Sequence, residues 1–148
     1  MTALAPTPHS SSRRLRVLIV DDEKEISEEI AEFLSLRKVE ALAVDRCAAA
    51  LALLDEDRNF GVLVTDIRMP DMNGIEMLSR IYGPGGIGTT TALKSIVLTG
   101  HATADDLSAA TRAGAFATLI KPCSLRVLLE AIEAAADAGG SWQDARRS

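Results

Sequence analysis

The chain has 148 residues, 47% of them hydrophobic and 25% charged, which is enough for one domain with a sizeable core. Aromatic residues make up 3% and the net charge is -5, so neither base stacking nor phosphate-backbone binding is expected, and no direct nucleic-acid contact. No apolar run approaches the length of a membrane span, so no membrane insertion is expected.

Residues 1–14 are rich in Ser, Thr and Pro, lack the apolar centre of a signal peptide, and read as a disordered leader. Residues 16–20 form a short apolar run that ends on Asp21-Asp22-Glu23. A helix follows, with Ile26, Ile30, Phe33 and Leu34 at helical spacing and Glu25, Glu28, Glu29 and Glu32 on its wet face. A second strand is read over 40–44 and an Ala- and Leu-rich helix over 47–57.

Val62-Leu63-Val64-Thr65 has the continuous apolar character of a strand buried on both faces, and it stops at Asp66. Pro70, Asp71, Asn73 and Gly74 then supply turn chemistry, and Ile75, Leu78 and Ile81 mark a short third helix. A long loop over 82–92 begins Tyr82-Gly83-Pro84-Gly85-Gly86. The fourth strand, 95–98, ends at Thr99-Gly100-His101. Thr103 to Asp106 has capping-box form and opens a fourth helix that ends near Gly114. A fifth strand over 117–120 ends at Lys121-Pro122. Ser124 then caps a final helix striped by Leu125, Leu128, Leu129 and Ile132 and ended by Gly139-Gly140. Strict alternation of five strands and five helices implies a parallel sheet covered on both faces.

In such a sheet the carboxyl ends of all strands share one edge. Asp21, Asp22, Asp66, Thr99 and Lys121 therefore converge. Alone, Asp21-Asp22 also reads as an acidic helix start, Lys121 as a surface lysine and Thr99 as a turn residue. Together, three carboxylates would repel one another unless a hard divalent cation sat among them, and oxygen ligands suit Mg²⁺. A carboxylate beside a metal and a lysine is the arrangement that forms an aspartyl phosphate, with the Thr99 hydroxyl as a further phosphate partner.

Asp21-Asp22, the run from Asp66 through Met69-Pro70 to Asn73-Gly74, Thr99-Gly100 and Lys121-Pro122 jointly resemble the receiver domain of two-component response regulators, of the single-domain chemotaxis type. The resemblance covers residues 15–138. It implies a flavodoxin-like, doubly wound sheet of order 2-1-3-4-5 and phosphoryl transfer from a histidine kinase or histidine phosphotransfer protein onto Asp66. It further implies Mg²⁺ held by Asp66, Asp22, Asp21 through water and the backbone carbonyl of Arg68. Thr99 would be the switch hydroxyl, Lys121 the phosphate-binding lysine, and the Lys121–Pro122 peptide cis. The activity implied is signalling by phosphorylation-dependent binding of a target protein or by phosphorelay, without turnover beyond the chain's own phosphorylation and dephosphorylation. The implied readout face is the fourth helix, fifth strand and fifth helix, which would also pair two copies as a homodimer.

Two other classes stay open at this stage: a phosphorylation-independent binding module, and a Mg²⁺-dependent aspartyl-phosphate phosphatase. The phosphatase class usually has a second acid where this chain has Arg68. Receivers usually carry an aromatic where Thr118 stands here; Phe116, two residues earlier, shares its face if the strand alternates regularly. Cys123 stands where Phe is frequent. His101 and the Arg68 side chain are either solvated or tune hydrolysis of the phosphoryl group. The lone cysteines Cys47 and Cys123 fit no disulfide or zinc pattern and read as packing residues of a reduced, cytoplasmic protein. Residues 139–148, with Trp142, read as a short flexible tail with no output domain.

Overall fold

A computed structural model of the chain describes residues 14–140. The expected leader up to residue 13 and the tail from residue 141, with Trp142, lie outside the described residues. The elements are β1 (Arg16–Val20), α1 (Lys24–Ser35), β2 (Glu40–Val44), α2 (Cys47–Glu56), β3 (Val62–Thr65), α3 (Gly74–Tyr82), β4 (Lys94–Thr99), α4 (Ala104–Ala113), β5 (Ala115–Ile120) and α5 (Leu125–Gly139). The five strands pair in parallel in the order β2-β1-β3-β4-β5, as the resemblance implied.

The core lies in two layers, one on each face of the sheet. Leu18, Leu63 and Val97 point to the face covered by α2, α3 and α4, where they meet Leu54, Met77, Leu78 and Ala110. Val17, Ile19, Val64 and Ile96 point to the other face and meet Ile30 and Leu34 of α1 and Leu128 and Ile132 of α5. This is why β1 and β3 read as unbroken apolar runs: alternate residues are buried on opposite sides. Among the described residues, no helix is long and apolar enough to cross a membrane.

The helix boundaries carry the chemistry that their sequences announce. Thr103 and Asp106 form both halves of the capping box of α4, Ser124 Oγ accepts from the Val127 amide at 3.0 Å, and Gly140 closes α5 with φ 86°. Gly114 ends α4 with φ 118°, and the Tyr82 ring packs so closely on it that a Cβ would not fit.

Asp71 does something local sequence rules do not show. Its carboxylate accepts from the Cys47 amide at 3.0 Å and the Ala48 amide at 2.8 Å, so it caps the first turn of α2 from a loop 24 residues away. The Ala48 amide, joined by the Cys47 amide, outweighs the burial penalty and holds the carboxyl below its ordinary range. A folded-state pKa below the unfolded one stabilises above about pH 4 and stops doing so as pH falls through the folded value. Asp71→Asn should therefore melt below wild type at pH 7, and the gap should close as the pH falls below about 4 in a thermal-melt series.

The loop over 82–92 is ordered by its own side chains. Its one helical turn is 3-10, Ile87–Thr89. The Thr89 and Thr91 hydroxyls donate back to the Gly86 and Ile87 carbonyls at 2.6 and 2.9 Å. The Tyr82 hydroxyl bonds to the Leu93 carbonyl at 3.0 Å and to Ser95 Oγ at 2.7 Å, anchoring the end of α3 to β4.

The fifth strand begins two residues earlier than expected, and the extra length contains an irregularity. Ser95 pairs with Ala115 but Ile96 pairs with Ala117, so Phe116 has no partner. Regular alternation therefore fails between 115 and 117. Phe116 is a bulge residue, 42% exposed, whereas Thr118 pairs with Val97. The regular alternation on which Phe116 was expected to share the face of Thr118 is therefore not kept.

Candidate functional site

The sheet ladder runs on past the strand ends and sets the site residues in register. The Asp21 amide donates to Val44 O at 3.1 Å, the Asp66 amide to Val20 O at 3.1 Å, and the Lys121 amide to Thr99 O at 2.8 Å. Asp21, Asp66 and Lys121 thus each follow directly from a strand and are fixed by the neighbouring one. Gly74 keeps the β3–α3 turn tight: its Cα faces the Asp66 carbonyl with no room for a Cβ, and its amide donates to Ile67 O at 2.8 Å.

At this edge Lys121 Nζ donates to Asp21 Oδ2 at 2.8 Å, Glu23 Oε1 at 2.8 Å and Asp66 Oδ2 at 3.0 Å. The Lys121–Pro122 peptide is cis, as implied. The other Asp66 oxygen accepts from the Ile67 amide at 2.6 Å and, more distantly, the Arg68 amide at 3.4 Å. Asp66 is 8% exposed and Asp21 4%. Thr99 is fully buried and its hydroxyl lies by the Asp66 carboxylate, yet it makes no hydrogen bond of regular geometry to any group.

These surroundings push the two aspartates in opposite directions. Burial alone would raise the Asp66 carboxyl, but Thr99, Lys121 and the Ile67 amide prevail and hold it below the ordinary range. For Asp21 burial prevails over Lys121 and the Glu23 amide, the negative charge of Asp66 adds to it, and the carboxyl is raised. Lys121 is penalised by burial, yet its bonds to Asp21, Glu23 and Asp66 raise it well above the ordinary lysine value. Asp66 is therefore an anion at neutral pH with one oxygen fixed by backbone and the other by an ammonium.

Carboxylate oxygens of Asp21, Glu23 and Asp66 lie within 4.8 Å of one another, an acidic cluster that could bind a metal. Asp22, expected as a direct ligand, is exposed and outside this group, and Glu23, not singled out from sequence, is inside it. The signal for Glu23 was its place two residues after Asp21 in the same acidic run. Its amide folds back to Asp21 Oδ1 at 2.9 Å, which turns the run toward the cluster. The Arg68 side chain reaches away, to Asp106 Oδ2 at 2.8 Å. His101 is exposed at the mouth of a cleft of ≈ 500 Å³ that opens beside Asp66, between Ile26 of α1 and Leu125 of α5.

The cysteines are unpaired, Cys47 buried and Cys123 half-buried beside this cleft. Burial, then the charges of Asp71 and Glu76, push the Cys47 thiol up to about 12. A disulfide reagent should titrate one thiol, Cys123, in the native protein and two in denaturant; fast native labelling of Cys47 would contradict its packing.

The family described as response regulator receiver domain matches residues 17–133. The transcriptional regulatory protein FixJ of Rhizobium meliloti (strain 1021) is 38% identical over 121 residues, covering 82% of this chain and 56% of that protein. The response regulator receiver protein Anae109_2439 of Anaeromyxobacter sp. (strain Fw109-5) is 36% identical over 117 residues, covering 78% of this chain and 46% of that one. The chain thus spans about half the length of these relatives. Among solved structures, a CheY-like receiver domain protein from Methanospirillum hungatei JF-1 superposes with TM-score 0.77 at 29% identity, covering 86% of this chain and 97% of that one. The structure titled FixJ-N superposes with TM-score 0.72 at 37% identity, covering 84% and 95%. With the fold, the strand-end acids and lysine, and the family match in agreement, the chain belongs to the response regulator receiver domain family.

Proposed function

We propose that Asp66 accepts a phosphoryl group from a histidine kinase or a histidine phosphotransfer protein, and that the chain signals by phosphorylation-dependent binding of a target protein or by phosphorelay. The observation that carries this reading is the Asp66 carboxylate itself: ionised, with one oxygen on backbone amides, the other on Lys121, and the unsatisfied Thr99 hydroxyl alongside. In the transfer, a bond forms from an Asp66 oxygen to phosphorus as the phosphorus–nitrogen bond of the phosphohistidine breaks, and the electron pair leaves with the imidazole. Lys121 meets negative charge on the transferring oxygens, and the buried Thr99 hydroxyl, already beside the Asp66 carboxylate, gains an acceptor in regular geometry.

The hard oxygens of Asp21, Glu23 and Asp66 fit a divalent cation, which we take to be Mg²⁺, with Asp22 and the Arg68 carbonyl completing the donors carried over from the family. Bound there, it would supply further positive charge for the incoming phosphoryl oxygens. A cytoplasmic setting fits the two unpaired cysteines. The exposed Phe116, Ile120 and Val127 on β5 and α5 support the α4–β5–α5 face as the readout and homodimer surface.

The test is intact mass after incubation with acetyl phosphate and a magnesium salt. One added phosphoryl group is expected, and none when EDTA is present from the start; no gain without EDTA, while a matched receiver control is modified, would favour phosphorylation-independent binding.

A further inference from the structure

The Asp106 carboxylate serves two partners with one oxygen. Oδ2 accepts from the Thr103 amide at 3.0 Å, closing the capping box of α4, and from the Arg68 guanidinium at 2.8 Å. The second half of the box, the Asp106 amide to Thr103 Oγ1, is also 3.0 Å. Arg68 is two residues past Asp66, and its amide faces Asp66 Oδ1. Thr103 is four residues past Thr99. The ion pair therefore closes a ring: Asp66 to Arg68 along the β3–α3 loop, across to Asp106, back through the cap to Thr103, and along residues 100–102 to Thr99.

The consequence is mechanical. The unsatisfied buried hydroxyl of Thr99 has more to gain from a new acceptor than any other polar side chain at the site. Any backbone shift that seats Thr99 on a phosphoryl group on Asp66 draws residues 100–102 with it. The far end of that segment is held by α4, whose first turn is tied to Arg68. We propose that the Arg68–Asp106 pair is a latch that holds the start of α4, and through it Thr99, in the unphosphorylated arrangement, so that Arg68 acts as a positioning residue through Asp106 and not on the phosphoryl group. This rests on the reading of Asp66 as phosphoacceptor. The pair is partly exposed, with side-chain exposures of 52% and 21%, so its effect is modest and adjustable.

The test is a double-mutant cycle with two readouts on the full chain. Arg68→Ala opens the latch and leaves the cap; Asp106→Asn removes the charge and keeps an oxygen for the Thr103 amide. Each single variant should speed modification by acetyl phosphate about two- to five-fold, and the double variant should be no faster than either. Amide hydrogen exchange in the first turn of α4 should quicken by a similar factor in Arg68→Ala without any phosphodonor. Multiplying rate effects in the double variant, or a slower Arg68→Ala, would show Arg68 acting on the phosphoryl group directly and overturn the latch. Unchanged exchange overturns it even if no variant is phosphorylated, an outcome that would separately count against Asp66 as acceptor.

Discussion

Asp66→Asn should take up no phosphoryl group from acetyl phosphate or from a phosphohistidine donor under conditions that modify wild type fully. The amide preserves the shape of the side chain and can still accept from the Ile67 amide, so the fold should survive; what disappears is the nucleophilic anion. The same change removes one of three carboxylates gathered around a single ammonium. Because the folded protein holds Asp66 below the ordinary carboxyl range, its charge stabilises the fold at neutral pH, so without added metal the variant should melt somewhat below wild type, and the rise in melting temperature expected from Mg²⁺ in wild type should shrink. A variant that unfolds would point instead to a structural role for the charge.

Lys121→Ala should have the second large effect, and it separates the role of the lysine from that of the proposed divalent cation. Lys121 is the positive charge that Asp21, Glu23 and Asp66 all bond, and its side chain is only 13% exposed. Losing a preorganised charge of this kind costs roughly 10²- to 10³-fold in rate, so phosphorylation should fall by that order while Asp66 remains present. Stability should drop by about 1–3 kcal/mol, less than the ~3–5 kcal/mol of a fully buried pair, because Glu23 reaches water and the freed carboxylates can take up protons. Divalent-cation binding should tighten, since the cation no longer competes with the ammonium for the same oxygens. Weaker cation binding in Lys121→Ala would mean that the lysine builds the metal site and does not compete with it.

The parts of this molecule that could be read from sequence are those governed by burial and local turn chemistry. Val17 to Val20 and Val62 to Val64 announce buried parallel strands because both faces of the sheet are covered, and the residues that follow them must then lie on one edge. Thr103 with Asp106, and Ser124, announce helix starts because the hydrogen bonds involved span three residues. What escaped depends on distance or on irregularity. Phe116 carries no mark of a bulge, because the register slip belongs to the pairing of β5 with β4. Asp71 looks like a turn residue of its own loop, and its partners are amides at the start of α2. Glu23 looks like an exposed helix-start acid until Lys121, 98 residues later, reaches it. The exposed position of Asp22 depends likewise on how the run after β1 folds back on itself, with the Glu23 amide on Asp21.

The structure also bears on how a phosphoryl group on Asp66 would reach the outer surface. Thr118 offers no aromatic ring, and Phe116 is an exposed residue of the bulge without a partner in the strand pairing. The link from Thr99 to α4 through residues 100–102 is the connection built from bonded groups, and it ends at Asp106 and Arg68.

The most direct test of the central claim is to phosphorylate the chain from a phosphorylated histidine phosphotransfer protein, reduce the product with borohydride, and sequence the peptide over 62–74 by tandem mass spectrometry. Asp66 should be recovered as homoserine in wild type, and only there. Homoserine at another residue, or an unmodified peptide while a matched receiver control is converted, would contradict Asp66 as the phosphoacceptor.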